Sequence, residues 1–190
     1  MKHAHSHFVD DLTNGKRFRS VTAMLKKNAV FLSDKEYGRA LSALVVACVD
    51  VALMCGDKLL LGLRVNEPWK GGWSFPGGRM KPGESFGDTA ARHVRVNVGL
   101  HMSPKRFHVV RTNSWAWSRR AQAPQQAGCH TTSTVVFAEL SFHERERIDP
   151  SSGDLSKIQW MNIQKILRNR RIHPAHQQAV RNIVAGQFQN

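Results

Sequence analysis

The residues best suited to chemistry lie in one stretch, residues 73–100, which reads WSFPGGRMKPGESFGDTAARHVRVNVGL. A glycine-rich turn at Gly77 and Gly78 is followed by a polar loop and by a pattern typical of a helix over residues 85–98, which Gly99 would end. A glycine-rich loop that leads into a helix exposes backbone N–H groups, and such groups bind anions. The stretch therefore predicts a phosphate site.

A lone carboxylate, Asp50, interrupts the apolar run over residues 45–54. The run contains many β-branched residues, which predicts a central strand covered on both faces. A carboxylate in such a strand must have polar partners, because burying it alone is costly. Two interpretations stay open at this point: a hydrogen-bonded core residue, or a carboxylate that reaches into a ligand cleft.

The elements around these residues predict an α/β fold. Further strands are expected over residues 58–64, 106–118 and 131–140, with a short one at 159–161. Helices are expected after Ser33, where Ser33 and Glu36 form a capping box, and over residues 162–168 and 174–185. Mixed strands flanked by helices are typical of the α/β class.

Composition and length indicate the partners, the cellular compartment and the domain organisation of the protein. The chain has 190 residues and a formal net charge of +14, which favours polyanionic partners such as nucleotides or nucleic acid. Three cysteines without metal-site spacing indicate a reducing compartment. No membrane-spanning run or secretory signal is visible, so a cytoplasmic protein is expected. We predict a basic N-terminal extension over residues 1–30 and one domain over residues 31–190.

The spacing of the stretch resembles the Nudix box, in which a glycine is followed by a glutamate, an arginine and a final glycine at fixed intervals. The matching positions are Gly78, Glu84, Arg92, Val94, Gly99 and Leu100. The three glutamates that carry magnesium in the family are replaced by His93, Val96 and Asn97. The resemblance implies a Nudix α/β/α sandwich, with a mixed sheet between helices and a magnesium site that is weak or lost.

Three segments, residues 31–50, residues 64–68 (RVNEP) and residues 73–79, together resemble the GDP-mannose mannosyl hydrolase branch of this family. The resemblance implies catalytic roles for Arg64, Arg79 and Asp50. The two arginines would contact a diphosphate, Asp50 would lie near the sugar, and Trp73 would be a further binding residue. Guanidinium groups suit this role because they bind phosphate oxygens in pairs.

The remaining implied roles concern metal and structure. Weak metal binding would use the Gly78 carbonyl, Glu84, Asn97 and Asp154, although magnesium prefers several anionic oxygens. Arg92 would form a structural ion pair with Glu84. The general-base histidine of the mannosyl hydrolases has no counterpart in residues 149–160, and His130 on a neighbouring strand is the nearest candidate.

Three functions remain open from the sequence. The first is a hydrolase of nucleoside-diphosphate sugars, and the second is a non-catalytic Nudix domain that binds a nucleotide or another polyanion as a sensor or scaffold. The third is a nucleic-acid-binding module in which Trp115 and Trp117 stack on bases beside Arg119 and Arg120. The resemblance also implies a homodimer.

Overall fold

A computed structural model describes residues 15–149 and 155–189, in which helices flank a single mixed sheet. The helices are α1 (Gly15–Lys27), α2 (Asp34–Leu41), α3 (Phe86–Val98), α4 (Phe142–Glu146), α5 (Ile163–Arg168) and α6 (Pro174–Val184). The strands are β1 (Val45–Cys55), β2 (Lys58–Arg64), β3 (Trp73–Ser74), β4 (Gly77–Arg79), β5 (His108–Trp117), β6 (Cys129–Glu139) and β7 (Leu155–Asn162). The predicted α/β/α sandwich is confirmed.

The sheet is built around β1. The strand order is β3-β2-β1-β6-β5, with β4 paired to β1 and β7 paired to β2. The β1–β6 pair is parallel and the other pairs are antiparallel. β1 is central, as predicted, but its first residues are not covered on both faces, since Val45 is 53% exposed. This part of the prediction was wrong because one face of the start of β1, with Val45 and Ala47, is exposed.

The alternation of side chains along β1 sends them to two separate cores. Val49, Val51 and Leu53 pack against α3, whereas Ala52 belongs to the core beneath α6. Asp50 is two residues from Ala52, so its side chain projects from the α6 face of the sheet. The strand thereby directs the lone carboxylate toward α6.

The N-terminal region is more ordered than the sequence predicts, because residues 15–27 form helix α1. This helix lies against the polar loop of the box, where a Cβ added to Gly83 would be 2.7 Å from the Thr22 carbonyl oxygen. Lys26 also pairs with Asp88 at 3.4 Å. The described part of the basic extension therefore contacts the domain.

Helix α2 is fixed by the loop over residues 118–128. Its predicted capping box between Ser33 and Glu36 is confirmed. Arg120 is only 2% exposed and donates hydrogen bonds to the Ser42 hydroxyl (3.0 Å) and the Gly128 carbonyl (3.2 Å). Arg120 therefore ties this loop to the end of α2, and it does not offer the surface charge beside Trp115 and Trp117 that the sequence suggested.

Candidate ligand-binding cleft

The box helix is secured by the Glu84–Arg92 pair. Arg92 Nε and Nη2 donate to the two carboxylate oxygens of Glu84, each at 2.6 Å. Glu84 also accepts hydrogen bonds from the Thr89 hydroxyl and the Lys81 backbone N–H, both at 2.9 Å. Partial burial raises the pKa of Glu84, but the hydrogen bonds from Arg92, Lys81 and Thr89 outweigh this effect and hold the pKa at about 2. Glu84 is thus an ionised carboxylate whose oxygens already have partners.

His93 occupies the next position of the box and packs on its glycine turn. Its Nε2 lies 3.2 Å from the Arg79 carbonyl oxygen and 3.2 Å from Arg92 Nη1. Burial lowers the pKa of His93. Gly78 has φ +156, and a Cβ there would lie 2.6 Å from the His93 ring. The glycine is therefore required by the close approach of the imidazole.

The residues of this helix do not form a magnesium site of the family's type. Val96 offers no ligand atom and is 44% exposed, and the oxygens of Glu84 are engaged by Arg92, Thr89 and Lys81. Within residues 15–149 and 155–189, no group of three or more His, Cys, Asp and Glu side chains is arranged to hold a metal ion. Asp154 lies outside the described residues.

A cleft of about 340 Å³ opens beside the box between α2, β1, β5 and the start of α6. It brings together most of the predicted site residues: Asp50, Arg64, Gly78, Arg79 and Asn97 line it. Glu84 and Arg92 are not among its lining residues, and Trp73 is 9% exposed within the core beneath α6. The Glu84–Arg92 pair therefore lies outside the cleft, whereas Gly78, Arg79 and Asn97 of the box line it.

Asp50 lies on the floor of this cleft with two side-chain partners. Its Oδ2 accepts a hydrogen bond from the Ser133 hydroxyl at 2.5 Å and lies 3.3 Å from His176 Nε2 on α6. Burial raises the pKa of Asp50, but these hydrogen bonds and the nearby charges of His176 and Arg64 outweigh it, so the pKa is lowered overall. Asp50 is therefore a fixed anion with a side chain still 19% exposed.

The two arginines of the cleft are held by different contacts. The Arg79 guanidinium carbon lies 3.9 Å from the centre of the Tyr37 ring, a cation–π geometry. Arg64 Nε donates to the Pro68 carbonyl at 2.8 Å. Neither guanidinium is paired with a carboxylate in the described residues. Both retain N–H donors for an anionic ligand.

An aromatic group completes the cleft. The His173 ring lies 4.8 Å from the Trp69 ring centre, 4.4 Å from Trp115 and 5.1 Å from Trp117. Burial, with a further contribution from His176, lowers the pKa of His173 to about 4, so its ring is neutral at pH 7. The flat rings give this end of the cleft an apolar wall.

Tyr37, His173 and His176 are among the residues of the site that were missed from the sequence, as are Ser133 and Trp69. The histidines stand at the start of the predicted helix 174–185, three positions apart, a spacing that places them on neighbouring parts of one helix surface. No local pattern shows that this surface meets Asp50. His130, the base candidate from the sequence, instead contacts the exposed Ser114 hydroxyl at 2.7 Å.

Comparison with known proteins identifies the family. The sequence profile of the NUDIX domain matches residues 44–183, so the chain belongs to the NUDIX domain family. Among curated proteins, the human 8-oxo-dGDP phosphatase NUDT18 is 33% identical over 63 residues. That match covers 33% of this chain and 20% of the relative, so the chain spans about a fifth of that relative's length. These findings support the Nudix prediction and do not support the GDP-mannose branch.

Solved structures share the fold at low identity. The NUDIX domain of Shewanella oneidensis NrtR complexed with ADP ribose has a TM-score of 0.57 at 19% identity, covering 82% of this chain and 99% of that one. A NUDIX hydrolase from Nitrosomonas europaea has a TM-score of 0.59 at 18% identity, with coverage of 76% and 92%.

A third structure contains a metal. The bifunctional NMN adenylyltransferase/ADP ribose pyrophosphatase of Francisella tularensis, complexed with AMP and a manganese ion, has a TM-score of 0.58 at 16% identity. The alignment covers 95% of this chain and 52% of that one.

In the described part of the present chain, no helix is long and apolar enough to cross a membrane.

Proposed function

We propose that the protein binds a nucleoside-diphosphate ligand in the cleft and does so without a magnesium cluster on the box helix. The observation that carries this proposal is the placement of Arg64 and Arg79 around a cleft with an aromatic wall, where neither has a carboxylate partner among the described residues. The family membership and the nucleotide complexes of similarly folded proteins point to the same class of ligand.

The two guanidinium groups suit the diphosphate. Each can donate two parallel N–H bonds to phosphate oxygens, and neither loses its charge at physiological pH. Tyr37 and the Pro68 carbonyl orient them before the ligand arrives, which lowers the entropy cost of binding. The arginines therefore supply positive charge that neutralises the phosphates of the ligand, which a magnesium ion would otherwise do.

Asp50 suits a hydroxyl or N–H donor of the ligand. Ser133 and His176 both contact its Oδ2, which fixes the carboxylate and leaves Oδ1 to accept a bond from the ligand. Because its pKa is lowered, Asp50 is a weak base and a good hydrogen-bond acceptor. Its role in this proposal is recognition of a sugar or base edge.

Hydrolysis is the second candidate function, and the family supports it. A hydrolase built on this chain would use Arg64 and Arg79 to stabilise charge on the departing phosphate. GDP-mannose, the substrate suggested by the sequence, ADP ribose and 8-oxo-dGDP are the natural probes. Product analysis after incubation separates turnover from binding.

The test is calorimetric titration of these nucleotides into wild-type protein and into Arg79→Ala. We expect the substitution to weaken binding by about 2 kcal/mol, roughly thirtyfold, as the loss of a charge-assisted contact does. The backbone carbonyl that Arg92 and His93 contact is unchanged in this variant, so the fold is retained. Arg95→Ala, an exposed position on the same box, is the matched control, and equal affinity in the two variants would exclude the assignment.

A further inference from the structure

A second groove adjoins the cleft. Its lining includes four basic residues that do not line the cleft, Lys70, Arg119, Arg170 and Arg171. Its lining also includes Trp69, Trp115, Trp117 and His173, the same rings that form the aromatic wall of the cleft. The groove and the cleft therefore share one aromatic wall, and a ligand longer than a nucleotide could contact both.

Trp69 stands at this junction in a constrained conformation. Its φ of +65 is in the left-handed region, which is unfavourable for a bulky residue. The ring lies over Gly72, where a Cβ would be 2.0 Å from the indole nitrogen, and that nitrogen donates to the Arg171 carbonyl at 3.2 Å. These contacts hold the Trp69 ring in place despite its unfavourable backbone conformation, at a position that lines both the groove and the cleft.

The four basic residues of the groove differ in whether their side chains have partners. Arg171 donates to the Gly71 carbonyl, and Arg119 lies 3.5 Å from Glu67, the one acidic residue among those lining the groove. The Lys70 and Arg170 side chains have no hydrogen-bond or ion-pair partner in the described residues, and both are exposed. These two cations are available to an external anion.

We propose that the groove binds single-stranded nucleic acid, with the terminal nucleotide in the cleft and the adjoining phosphates beside Lys70 and Arg170. The proposal rests on the proposed function, because the terminal nucleotide would occupy the nucleotide site. Rings interleaved with cations bind single strands, whose bases are free to stack on them, and do so with little sequence preference. Bases in a duplex are already stacked on one another and cannot stack on the aromatic wall. The groove should therefore bind a single strand more tightly than a duplex. The net charge of +14 favours the same partner.

The test measures fluorescence anisotropy of a labelled oligothymidylate about six nucleotides long, within the usual range of site sizes. Wild-type protein is compared with Lys70→Glu/Arg170→Glu and with Lys105→Glu/Arg147→Glu. The control pair has the same charge change and is also exposed. Lys105 precedes β5, whereas the groove lies at the other end of that ten-residue strand, roughly 30 Å away.

We expect the groove variant to lose at least about tenfold in affinity and to show a shallower salt dependence, by about 1.4 in the logarithmic slope for two lost phosphate contacts. The control variant should stay close to wild type, and saturating ADP ribose should weaken oligonucleotide binding. Equal losses in both variants, or equal affinity for a duplex or an acidic peptide, would overturn the proposal.

ADP ribose titrations separate this proposal from the function on which it rests. The groove variant should bind ADP ribose with unchanged affinity, because Lys70 and Arg170 do not line the cleft. Binding of ADP ribose without binding of the oligonucleotide removes the groove proposal and leaves the nucleotide site. Groove-dependent oligonucleotide binding without ADP ribose binding supports phosphate binding in the groove, but it removes the nucleotide site and with it the placement of the terminal nucleotide in the cleft.

Discussion

The box helix and the cleft lie side by side, yet their polar groups are used in opposite ways. At the box helix, Arg92 pairs with Glu84 of the preceding loop, and His93 contacts the backbone of Arg79. In the cleft, Arg64 and Arg79 have no carboxylate partner in the described residues. Polar groups that satisfy one another stabilise a fold, whereas groups left with free donors are available to a ligand.

The comparison separates the positions of the motif that build structure from the positions to which the resemblance assigns metal ligands. The Gly78, Glu84, Arg92 and Gly99 positions build the loop and the helix, and Gly99 ends α3 in the left-handed conformation expected of a cap. The positions that would bring charge to a metal are occupied by His93, Val96 and Asn97. We therefore assign recognition of the ligand's phosphates to Arg64 and Arg79 of the cleft and not to the box helix.

The largest expected effect comes from breaking the box pair. Glu84→Ala leaves the Arg92 guanidinium, 20% exposed, without its carboxylate, and we expect a loss of about 3 kcal/mol in the free energy of unfolding. Urea denaturation measures this loss. The control is Glu67→Ala, which removes the looser pair with the 58% exposed Arg119 and should cost under about 1 kcal/mol. Similar losses in the two variants would contradict the bracing role of the box.

The same pair predicts a pH dependence. The pKa of Glu84 is about 2 in the folded protein, below its ordinary value of 4.5. Its contribution to stability is therefore complete above about pH 4.5 and is lost as the pH falls toward 2, because the unfolded chain binds the proton first. Glu84→Gln should make the stability curve shallower in this window, and an unchanged slope would exclude Glu84 as its source.

A second substitution restores charge to the helix and so sharpens the comparison. Val96→Glu with Asn97→Glu places carboxylates where the family carries magnesium ligands, and the exposure of Val96 leaves room for the first of them. We expect magnesium to stabilise this variant by about 1.4 kcal/mol at tenfold excess over its dissociation constant, and to leave wild type unchanged. Thermal unfolding with and without magnesium measures the effect, with Arg95→Glu as the control for added charge. A response in wild type, or none in the double variant, would contradict this account.

The smallest expected effect concerns Tyr37, which lies before the matched family region and contacts Arg79. Tyr37→Leu should weaken nucleotide binding by about 1 kcal/mol, because the guanidinium loses its aromatic support. Tyr37→Phe keeps the ring and should retain most of the affinity in the same titration. Equal losses in the two variants would assign the effect to the hydroxyl and not to the ring.

The elements that follow from local sequence were predicted well. Helix α3 with its glycine cap, the capping box of α2 and the central position of β1 follow from hydrophobic pattern and end signals. Residues 155–162 form a longer strand than the predicted 159–161. Backbone pairing with β2 continues on both sides of the three residues that the sequence predicted. Helix α1 was missed because its segment is strongly basic, without an acidic residue in its first turn, and because its contacts come from the distant box loop.

The site was predicted only in part, because some of its residues follow from local sequence whereas other contacts form only in the tertiary fold. Arg64, Arg79 and Asp50 belong to strands or their ends, and the sheet brings them to one cleft. The contacts of His176 with Asp50 and of Tyr37 with Arg79 join residues 126 and 42 positions apart, respectively, so only the tertiary fold shows them. Trp73 was expected near the ligand, but β3 directs it into the core beneath α6.

The most direct test of the central claim is calorimetric titration of ADP ribose in magnesium and, separately, in excess EDTA. Because the arginines neutralise the diphosphate in this account, we predict the same affinity in both conditions and a similar loss in both for Arg79→Ala. Product analysis of the same samples should recover the nucleotide intact. Binding that requires magnesium and is indifferent to Arg79 would contradict the claim that the cleft replaces the metal.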